Sequence, residues 1–211
     1  AEIKIDKVTI FNIDGNLVNR PIVISKIKAG QVDKGNYSHF MQKEIFEQPQ
    51  AIRDTLESRI TNDSVIPSAF GYKAEGIFKS IKQIQIVACG TSYNAGLVAK
   101  YWIEDIAKIP CNVEIASEYR YRRPILLDQT LFVTLSQSGE TADTIEALKA
   151  AKKINQSIVS LCISNSPESS LIRLSDLTFL THAGPEIGVA STKAFTTQLT
   201  ALALLITVIG K

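Results

Sequence analysis

Short apolar runs alternate with longer amphipathic stretches through the last two thirds of the chain. The short runs have the length and composition of buried strands, and the longer stretches repeat apolar residues at helical spacing. This pattern predicts strands at residues 85–88, 112–115, 131–135, 158–163 and 177–180. It predicts helices at residues 95–106, 117–122, 141–154, 169–174 and 192–209.

The alternation predicts an α/β fold in which helices cover both faces of a parallel sheet, a three-layer αβα sandwich. Right-handed crossovers restrict how such strands are connected. With five strands, the pattern favours the flavodoxin-like order 2-1-3-4-5, in which the first and third strands are neighbours. Ligands of such folds bind beyond the carboxyl ends of the strands, where the strand order reverses.

The N-terminal part has a different pattern. Residues 1–30 alternate β-forming residues around Asp14-Gly15, which predicts a β-hairpin. Because a lone hairpin is marginally stable, we expect it to belong to a larger sheet outside this chain. Residues 31–37 are predicted to be a linker, and a helix is predicted from residue 38 onward, with Pro49 either kinking it or starting a second helix.

Two hydroxyl-rich loops follow the first and third predicted strands. They read "CGTS" at residues 89–92 and "SQSGET" at 136–141, and each contains a glycine and opens a helix. Helix N-termini and hydroxyl groups bind anions through uncharged donors, and we expect Gly90 and Gly139 to let the backbone approach the anion. Neither loop contains a lysine, and the P-loop and GxGxxG signatures are absent. A single phosphate of a sugar phosphate therefore fits better than a triphosphate.

The same residues have an alternative interpretation as helix caps. Ser138 would cap the helix at 141–154, and Ser92 would cap the helix that follows it, at 95–106. Glu140 is expected to face a helix dipole or a backbone N–H, because an acid beside a phosphate is unfavourable. A third loop, at 181–198, follows the fifth strand, and we expect its residues Val189, Ala190 and Ser191 to contact a ligand. The alternative interpretation is an ordinary connection between a strand and a helix, in which Ser191 or Thr192 caps the helix.

Composition narrows the possible partners. The net charge of +2 argues against nucleic acid as the main partner. The three cysteines are far apart without a CxxC pair, and neither His39 nor His182 has a metal-ligand partner at i+4, so we predict no disulfide framework, metal or cofactor. This cysteine usage fits the reducing cytoplasm.

The chain ends suggest a piece of a longer protein. The apolar run at 195–209 is shorter than the roughly 18 residues of a membrane-spanning helix, and it is interrupted by polar residues, so we predict a buried helix and no membrane partner. The chain starts with Ala1 rather than Met and stops directly after that helix. We therefore expect an excised fragment.

Several long motifs carry a family resemblance. "ACGTSYNAG", "EIASEYRYR", "TLSQSGETADT" and "GPEIGVASTKAFTTQLT" resemble the first sugar isomerase (SIS) subdomain of the isomerising glutamine–fructose-6-phosphate aminotransferases. "DKGNYSHFMQKEIFEQP" is similar to the linker and first helix after their glutaminase domain. The resemblance implies three parts: a glutaminase-type hairpin tail at 1–30, a linker and helical segment at 31–75, and the first SIS subdomain at 76–211.

The resemblance also implies a function. Members of this family take ammonia from glutamine and convert fructose 6-phosphate to glucosamine 6-phosphate in the cytoplasm, for amino-sugar and UDP-N-acetylglucosamine synthesis, commonly as homodimers. Their sugar contacts fall on Val189 and Ser191. Their phosphate contacts fall on the hydroxyl-rich loops, at Thr91, Ser92, Ser136, Gln137, Ser138 and Thr141.

This chain departs from the family pattern at the catalytic positions. The family's glutaminase nucleophile is an N-terminal cysteine, where this chain has Ala1, and its Schiff-base lysine, glutamate and ring-opening histidine belong to a second SIS half. We therefore assign no catalytic residue, expect the chain alone to be inactive, and interpret Lys193 as a helix-start or packing residue. The alternatives are an SIS module of a different isomerase or of a sugar-phosphate-sensing regulator, although residues 1–60 contain no basic recognition helix.

Overall fold

The computed structural model describes residues 1–21 and 33–210, which fall into two compact units, Ala1–Asp33 and Lys34–Lys211. The first unit contains a small antiparallel sheet in which β1 (Glu2–Ile3), β2 (Val8–Phe11) and β3 (Leu17–Val18) lie side by side. The β2–β3 turn is closed by the Asn12 Oδ1 atom, which accepts from the N–H groups of Asp14 and Asn16 at 3.0 and 2.8 Å. The predicted hairpin at Asp14-Gly15 is thus present, while residues 22–30 of its segment and residues 31–32 of the predicted linker lie outside the described residues.

The second unit is built on a five-stranded parallel sheet. Its strands are β4 (Gln83–Ala88), β5 (Cys111–Ile115), β6 (Thr130–Ser136), β7 (Val159–Ser164) and β8 (Leu177–Leu180), each within two residues of its predicted bounds. They lie in the order β5-β4-β6-β7-β8, which is the predicted 2-1-3-4-5 order. The pairing of β4 with β6 places Ala88 opposite Leu135, so the chain leaves both strands at the same edge.

Seven α-helices accompany the described strands. They are α1 (Phe40–Leu56), α2 (Ala74–Phe78), α3 (Gly90–Trp102), α4 (Ala116–Tyr119), α5 (Ala142–Ile154), α6 (Ser170–Leu174) and α7 (Lys193–Ile209), with a 3-10 turn at Pro67–Phe70 and a π turn at Ile103–Ala107. The predicted start of α3 at residue 95 is wrong. The hydroxyl-rich residues after Gly90 form the first turn of this helix instead of a separate loop.

Alternating strand residues form the two cores of a three-layer sandwich. Side chains such as Ile86 on β4 and Val133 on β6 pack against α2, α3 and α7 on one face of the sheet. Val87, Phe132 and Cys162 point to the other face, where they meet residues of α4, α5 and α6. This period of two is the one that a sheet covered on both faces requires, and it confirms the predicted αβα architecture.

Helix α1 continues through Pro49 without ending. Proline has no N–H to give to the carbonyl four residues earlier, and the side-chain amide of Gln48 donates to that carbonyl of Ile45 at 3.0 Å. The helix is therefore single, which excludes the predicted possibility that Pro49 starts a second helix. Its buried side chains are Glu44, Ala51 and Thr55.

The packed face of α1 is only partly apolar, since Leu56 contacts the core while other apolar residues of the pattern are exposed. Ile45 is 43% exposed, and Ile60, which follows the helix, is 44% exposed. The helix packs against α7, and the hydroxyl of Thr55 donates to the carbonyl of Thr181, in the loop after β8, at 2.5 Å. Polar contacts therefore help to dock this helix.

The predicted buried helix at the C-terminal end is confirmed. Most side chains of α7 are buried, and the helix packs against α1 and α3. Among the described helices, none combines the length and apolar composition of a membrane span.

Arg59 and His182 join the end of α1 to the loop after β8. Arg59 is buried with its guanidinium 4.1 Å from the centre of the Phe179 ring, and its Nη1 donates to the Thr55 carbonyl at 2.7 Å. Its Nη2 lies 3.5 Å from the His182 Nε2, which must therefore be unprotonated to accept a hydrogen bond. Burial, and then the charge of Arg59, lower the pKa of His182 below its ordinary 6.5, against opposing effects of Asp54 and Glu57.

Replacing Phe70 should destabilise the second unit. Phe70 is fully buried, and its ring centre lies 4.8 Å from that of Phe179 and 5.6 Å from that of Phe78. We expect Phe70→Ala to lower the free energy of unfolding by about 3–5 kcal/mol in urea titrations, since a large aromatic is lost from a packed site. Tyr72→Ala is the control, because Tyr72 is 85% exposed and its loss should cost less than about 0.5 kcal/mol. Equal losses would contradict the packing described.

The unprotonated state of His182 predicts a pH dependence of stability. A lowered folded-state pKa contributes stability that is present above the ordinary value of 6.5 and is lost as pH falls through the folded pKa. We expect the free energy of unfolding to fall more between about pH 7.5 and about pH 5.5 in the unmodified chain than in His182→Gln, which keeps an acceptor for Arg59 but does not titrate. His39→Gln is the control, and an identical fall in the unmodified chain and His182→Gln would contradict the prediction.

Candidate functional site

A cavity of about 510 Å³ lies at the carboxyl ends of β4 and β6. Three segments line it: the first wall is residues 89–92, the second wall residues 135–141, and the third wall residues 186–191. The first two walls follow neighbouring strands, as the strand order predicted. The structure brings all eight predicted binding residues to this one cavity: Thr91, Ser92, Ser136, Gln137, Ser138, Thr141, Val189 and Ser191.

The first wall is the N-terminal turn of α3. Gly90 has a φ of +56°, a conformation that favours glycine, and a Cβ added there would meet no atom within 4 Å. The space next to this backbone is therefore open to the cavity. The N-cap residue Cys89 makes no side-chain cap hydrogen bond among the described residues, so the N–H groups of the first turn stay available to an anion.

Ser92 is anchored from α7 rather than acting as a cap. The side-chain amide of the buried Gln198 donates to the Ser92 Oγ at 3.0 Å. Since this bond uses the oxygen as an acceptor, the hydroxyl hydrogen of Ser92 remains free to donate to a ligand.

Hydroxyl groups shape the second wall. The Ser136 Oγ accepts from the N–H of Gly139 at 3.0 Å and lies 3.0 Å from the Thr141 Oγ1, while the Ser138 Oγ accepts from the N–H of Glu140 at 3.1 Å. The alternative in which Ser138 caps α5 is wrong, because Thr141 occupies the N-cap position. Thr141 forms no side-chain cap bond within the described part of the chain, so a second helix presents unpaired N–H groups to the cavity.

Gly139 has a different role from the one predicted. Its φ is +66°, and a Cβ there would lie 2.0 Å from the Ser169 Oγ. This glycine therefore makes room for Ser169 before α6 instead of bringing the backbone close to a ligand. The next residue, Glu140, accepts from the Ser170 N–H at 2.7 Å, and this hydrogen bonding by Ser170 lowers the pKa of Glu140. The expectation that Glu140 faces a backbone N–H is confirmed.

The third wall combines exposed side chains with a half-buried acidic anchor. Val189 lies beside the cavity and is fully exposed, so its side chain is free to contact a ligand. The Glu186 Oε1 accepts from the N–H groups of Thr192 and Ala194 at 2.8 and 3.2 Å. Thr192 occupies the N-cap position of α7, as one of the expected alternatives had it, but the carboxylate of Glu186 takes the place of its side chain as the hydrogen-bond acceptor.

Sequence reasoning also missed two acids of α1. Glu44 accepts hydrogen bonds from the third-wall backbone, and the Glu47 Oε2 pairs with the Lys193 Nζ at 2.7 Å. Lys193 is buried at the first position of α7, which confirms its interpretation as a helix-start packing residue. The sequence signal for these two acids was their spacing of one turn in a predicted helix. That spacing shows that they share a face of the helix, but it does not show what this face packs against.

The lining of the cavity is almost uncharged. Of the described residues that line it, only Glu186 carries a charge, and its carboxylate is engaged by the N-terminus of α7. Anion binding here would therefore use hydroxyl groups and helix N–H groups without a cationic side chain. Residues 1–21 and 33–210 contain no group of three or more His, Cys, Asp or Glu that could hold a metal ion.

The three cysteines differ in their surroundings. Cys89 is half-buried and lines the cavity. Cys111 and Cys162 are buried in the sheet, and burial raises the pKa of each thiol to about 12. Their thiolate forms are therefore scarce at neutral pH, so neither is a reactive nucleophile.

Comparison with known proteins gives a consistent family. A family model described as the SIS domain matches residues 77–208. Over all 211 residues, the chain is 54% identical to the isomerising glutamine–fructose-6-phosphate aminotransferase of Vibrio parahaemolyticus and 55% identical to that of Pseudomonas putida. It spans 34% of the length of each of these curated relatives.

Solved structures agree with this match. The C-terminal domain of glucosamine-fructose-6-phosphate aminotransferase from Francisella tularensis is 56% identical, with a TM-score of 0.81, over 85% of this chain and 50% of that one. Tagatose-6-phosphate ketose/aldose isomerase from Escherichia coli has a TM-score of 0.66 at 20% identity, covering 81% of this chain and 48% of that one, and shares the fold. The resemblance inferred from the motifs is confirmed. Because the matched residues make up well over half of the chain and include the whole parallel sheet and the cavity at its edge, this chain belongs to the SIS domain family.

Proposed function

We propose that this chain is the sugar-phosphate-binding part of an isomerising glutamine–fructose-6-phosphate aminotransferase, and that its cavity binds fructose 6-phosphate or glucosamine 6-phosphate. The observation that carries the proposal is the meeting of two uncapped helix N-termini and a set of hydroxyl groups at one cavity. Such a site suits one phosphate group. The named relatives, at 54–55% identity along the whole chain, supply the substrate class.

The charge distribution indicates how the ligand lies in the cavity. The phosphate belongs between the first and second walls, because the N-termini of α3 and α5 carry partial positive charge there. The sugar belongs beside the third wall, where Val189 and Ser191 are exposed or half-buried and the carboxylate of Glu186 would repel a phosphate. Thr91, Ser92, Ser136, Gln137, Ser138 and Thr141 would accordingly act on the phosphate side.

The covalent chemistry is proposed for the whole protein. It would move ammonia from glutamine to fructose 6-phosphate and release glucosamine 6-phosphate and glutamate. The lysine that follows the third wall, Lys193, is buried and paired with Glu47, so it does not offer a free amine to the cavity. We assign the described residues to binding and orientation, and we assign proton transfer and imine formation to other parts of the protein.

The place and assembly of the protein follow from the same proposal. Its substrates are phosphorylated sugars, so we place it in the cytoplasm. We also propose that the whole protein is a homodimer. The exposed apolar side chains of Met41, Ile45 and Phe46 on α1 support this proposal, because clusters of this kind are often covered by a partner.

Removing one hydroxyl of the second wall should weaken binding. We expect the unmodified chain to bind fructose 6-phosphate and glucosamine 6-phosphate in calorimetric titrations. Ser138→Ala should raise the dissociation constant about tenfold, since a hydrogen bond to a charged group contributes about 1.5–3 kcal/mol. Ser138 is exposed, so its replacement should leave the fold intact.

Ser157→Ala is the matched control for this experiment. Ser157 is also an exposed serine, but it precedes β7 and so lies at the opposite end of the sheet from the cavity. Its replacement should leave both dissociation constants unchanged. No heat with the unmodified chain, or equal weakening by the two variants, would contradict the proposed site.

Cys89 offers an independent report on occupancy. Native-state alkylation should label Cys89 faster than Cys111 or Cys162, because the latter two are buried and have raised pKa values. Fructose 6-phosphate should slow the labelling of Cys89, since the ligand would cover the wall that contains it. Peptide mass spectrometry measures the rates, with fructose as the unphosphorylated control. Labelling that is unaffected by saturating fructose 6-phosphate would place the ligand elsewhere.

A further inference from the structure

The third wall is held in place by a buried carboxylate from another part of the chain. Glu44, on α1, is 2% exposed. Its Oε1 accepts from the N–H groups of Ile187 and Gly188 at 2.6 and 3.1 Å, and its Oε2 lies 3.2 Å from the Gly188 N–H. Backbone donors of the third wall therefore satisfy a charge that would be costly to bury alone.

The fit around this carboxylate is tight. A Cβ added to Gly188 would lie 2.6 Å from the Glu44 Oε2 and 3.4 Å from the Met41 Cα. Any other residue at position 188 would require the Glu44 carboxylate, α1 or the wall to move. The contact thus depends on both a long acid at 44 and a glycine at 188.

Two further carboxylates hold the part of the chain between the third wall and the start of α7. Glu47, one turn along α1, pairs with Lys193, and Glu186 accepts from the backbone of Thr192 and Ala194. The segment is therefore fixed on both sides of Val189, Ala190 and Ser191, which face the cavity. The first and second walls have no such contact with α1, since their described anchors are Gln198 and the hydroxyl groups of the second wall.

We propose that Glu44 is a positioning residue that sets the third wall and thereby the affinity for the sugar part of the ligand, while the phosphate end is independent of it. This inference rests on the proposed function, in which the third wall meets the sugar. Glu44 does not line the cavity, so it acts through the backbone of residues 187 and 188.

The test replaces Glu44 by its nearly isosteric amide. In Glu44→Gln an amide oxygen at the Oε1 position can still accept from both wall donors, but the negative charge is lost and the amide NH2 faces the Gly188 N–H, from which it cannot accept. We expect NMR titration to show about tenfold weaker binding of fructose 6-phosphate, as for a lost charged hydrogen bond, with the affinity for inorganic phosphate changed by less than about twofold. Glu75→Gln, at an exposed acid of α2, is the control and should change neither affinity. Equal weakening of both ligands, or no change in either, overturns the proposal.

Amide hydrogen exchange in the ligand-free chain tests the structural step by itself. The amides of Ile187 and Gly188 should exchange faster in Glu44→Gln, while those of β6 keep their rates; unchanged rates at 187 and 188 overturn the proposal. If the unmodified chain binds neither fructose 6-phosphate nor phosphate, the proposed function and the ligand half of this inference both fail. The exchange rates would still decide whether Glu44 holds the wall.

A second variant approaches the same contact from the loop side. Gly188→Ala places its Cβ against the Glu44 carboxylate and leaves every charge in place. It should weaken fructose 6-phosphate selectively over inorganic phosphate, as Glu44→Gln does. This variant keeps the proposal testable if Glu44→Gln does not fold, and an affinity loss shared by both ligands would count against a positioning role.

Discussion

The pairing of β4 with β6 is the constraint on which the site depends. The chain passes from β4 to the edge strand β5 before it returns to β6 on the other side of β4. This crossover places residues 88 and 135 opposite each other, so two loops separated by more than forty residues meet at one edge. Two helices then start at that edge with their N–H groups facing the same space. Without this strand order, neither loop would be more than a polar turn.

The anion binding proposed for the cavity relies on dipoles rather than on a cation. Backbone N–H groups and hydroxyl groups do not bring a counter-charge, and they are held in fixed directions by the turn that Ser136 organises. The acids near the site are satisfied elsewhere: Glu140 by Ser170, Glu186 by α7 and Glu44 by the third wall. Each carboxylate thus stabilises backbone near the cavity, and none of these three interactions requires a cation.

Some features of this arrangement could be predicted from local pattern. Strand bounds were accurate to within two residues because each strand is a short apolar run between polar loops. The hydroxyl-rich loops could be chosen as candidates because their residue types are useful at a helix N-terminus. The start of α3 and the role of Gly139 were predicted wrongly, since the first depends on whether a loop continues as a helical turn and the second on the position of Ser169.

Helix α1 shows most clearly which features follow from the local sequence and which depend on tertiary contacts. The amino-acid sequence by itself determined that the segment is helical, that the sheet is parallel with its strand order, and that hydroxyl groups follow two of its strands. Only the tertiary structure decided that α1 turns Glu44 inward and leaves Ile45 exposed, and that Glu186 caps α7. The reason is physical: periodicity reports which residues share a face, but the partner of a buried carboxylate is a backbone N–H more than a hundred residues away, and a backbone N–H has no signature in the sequence.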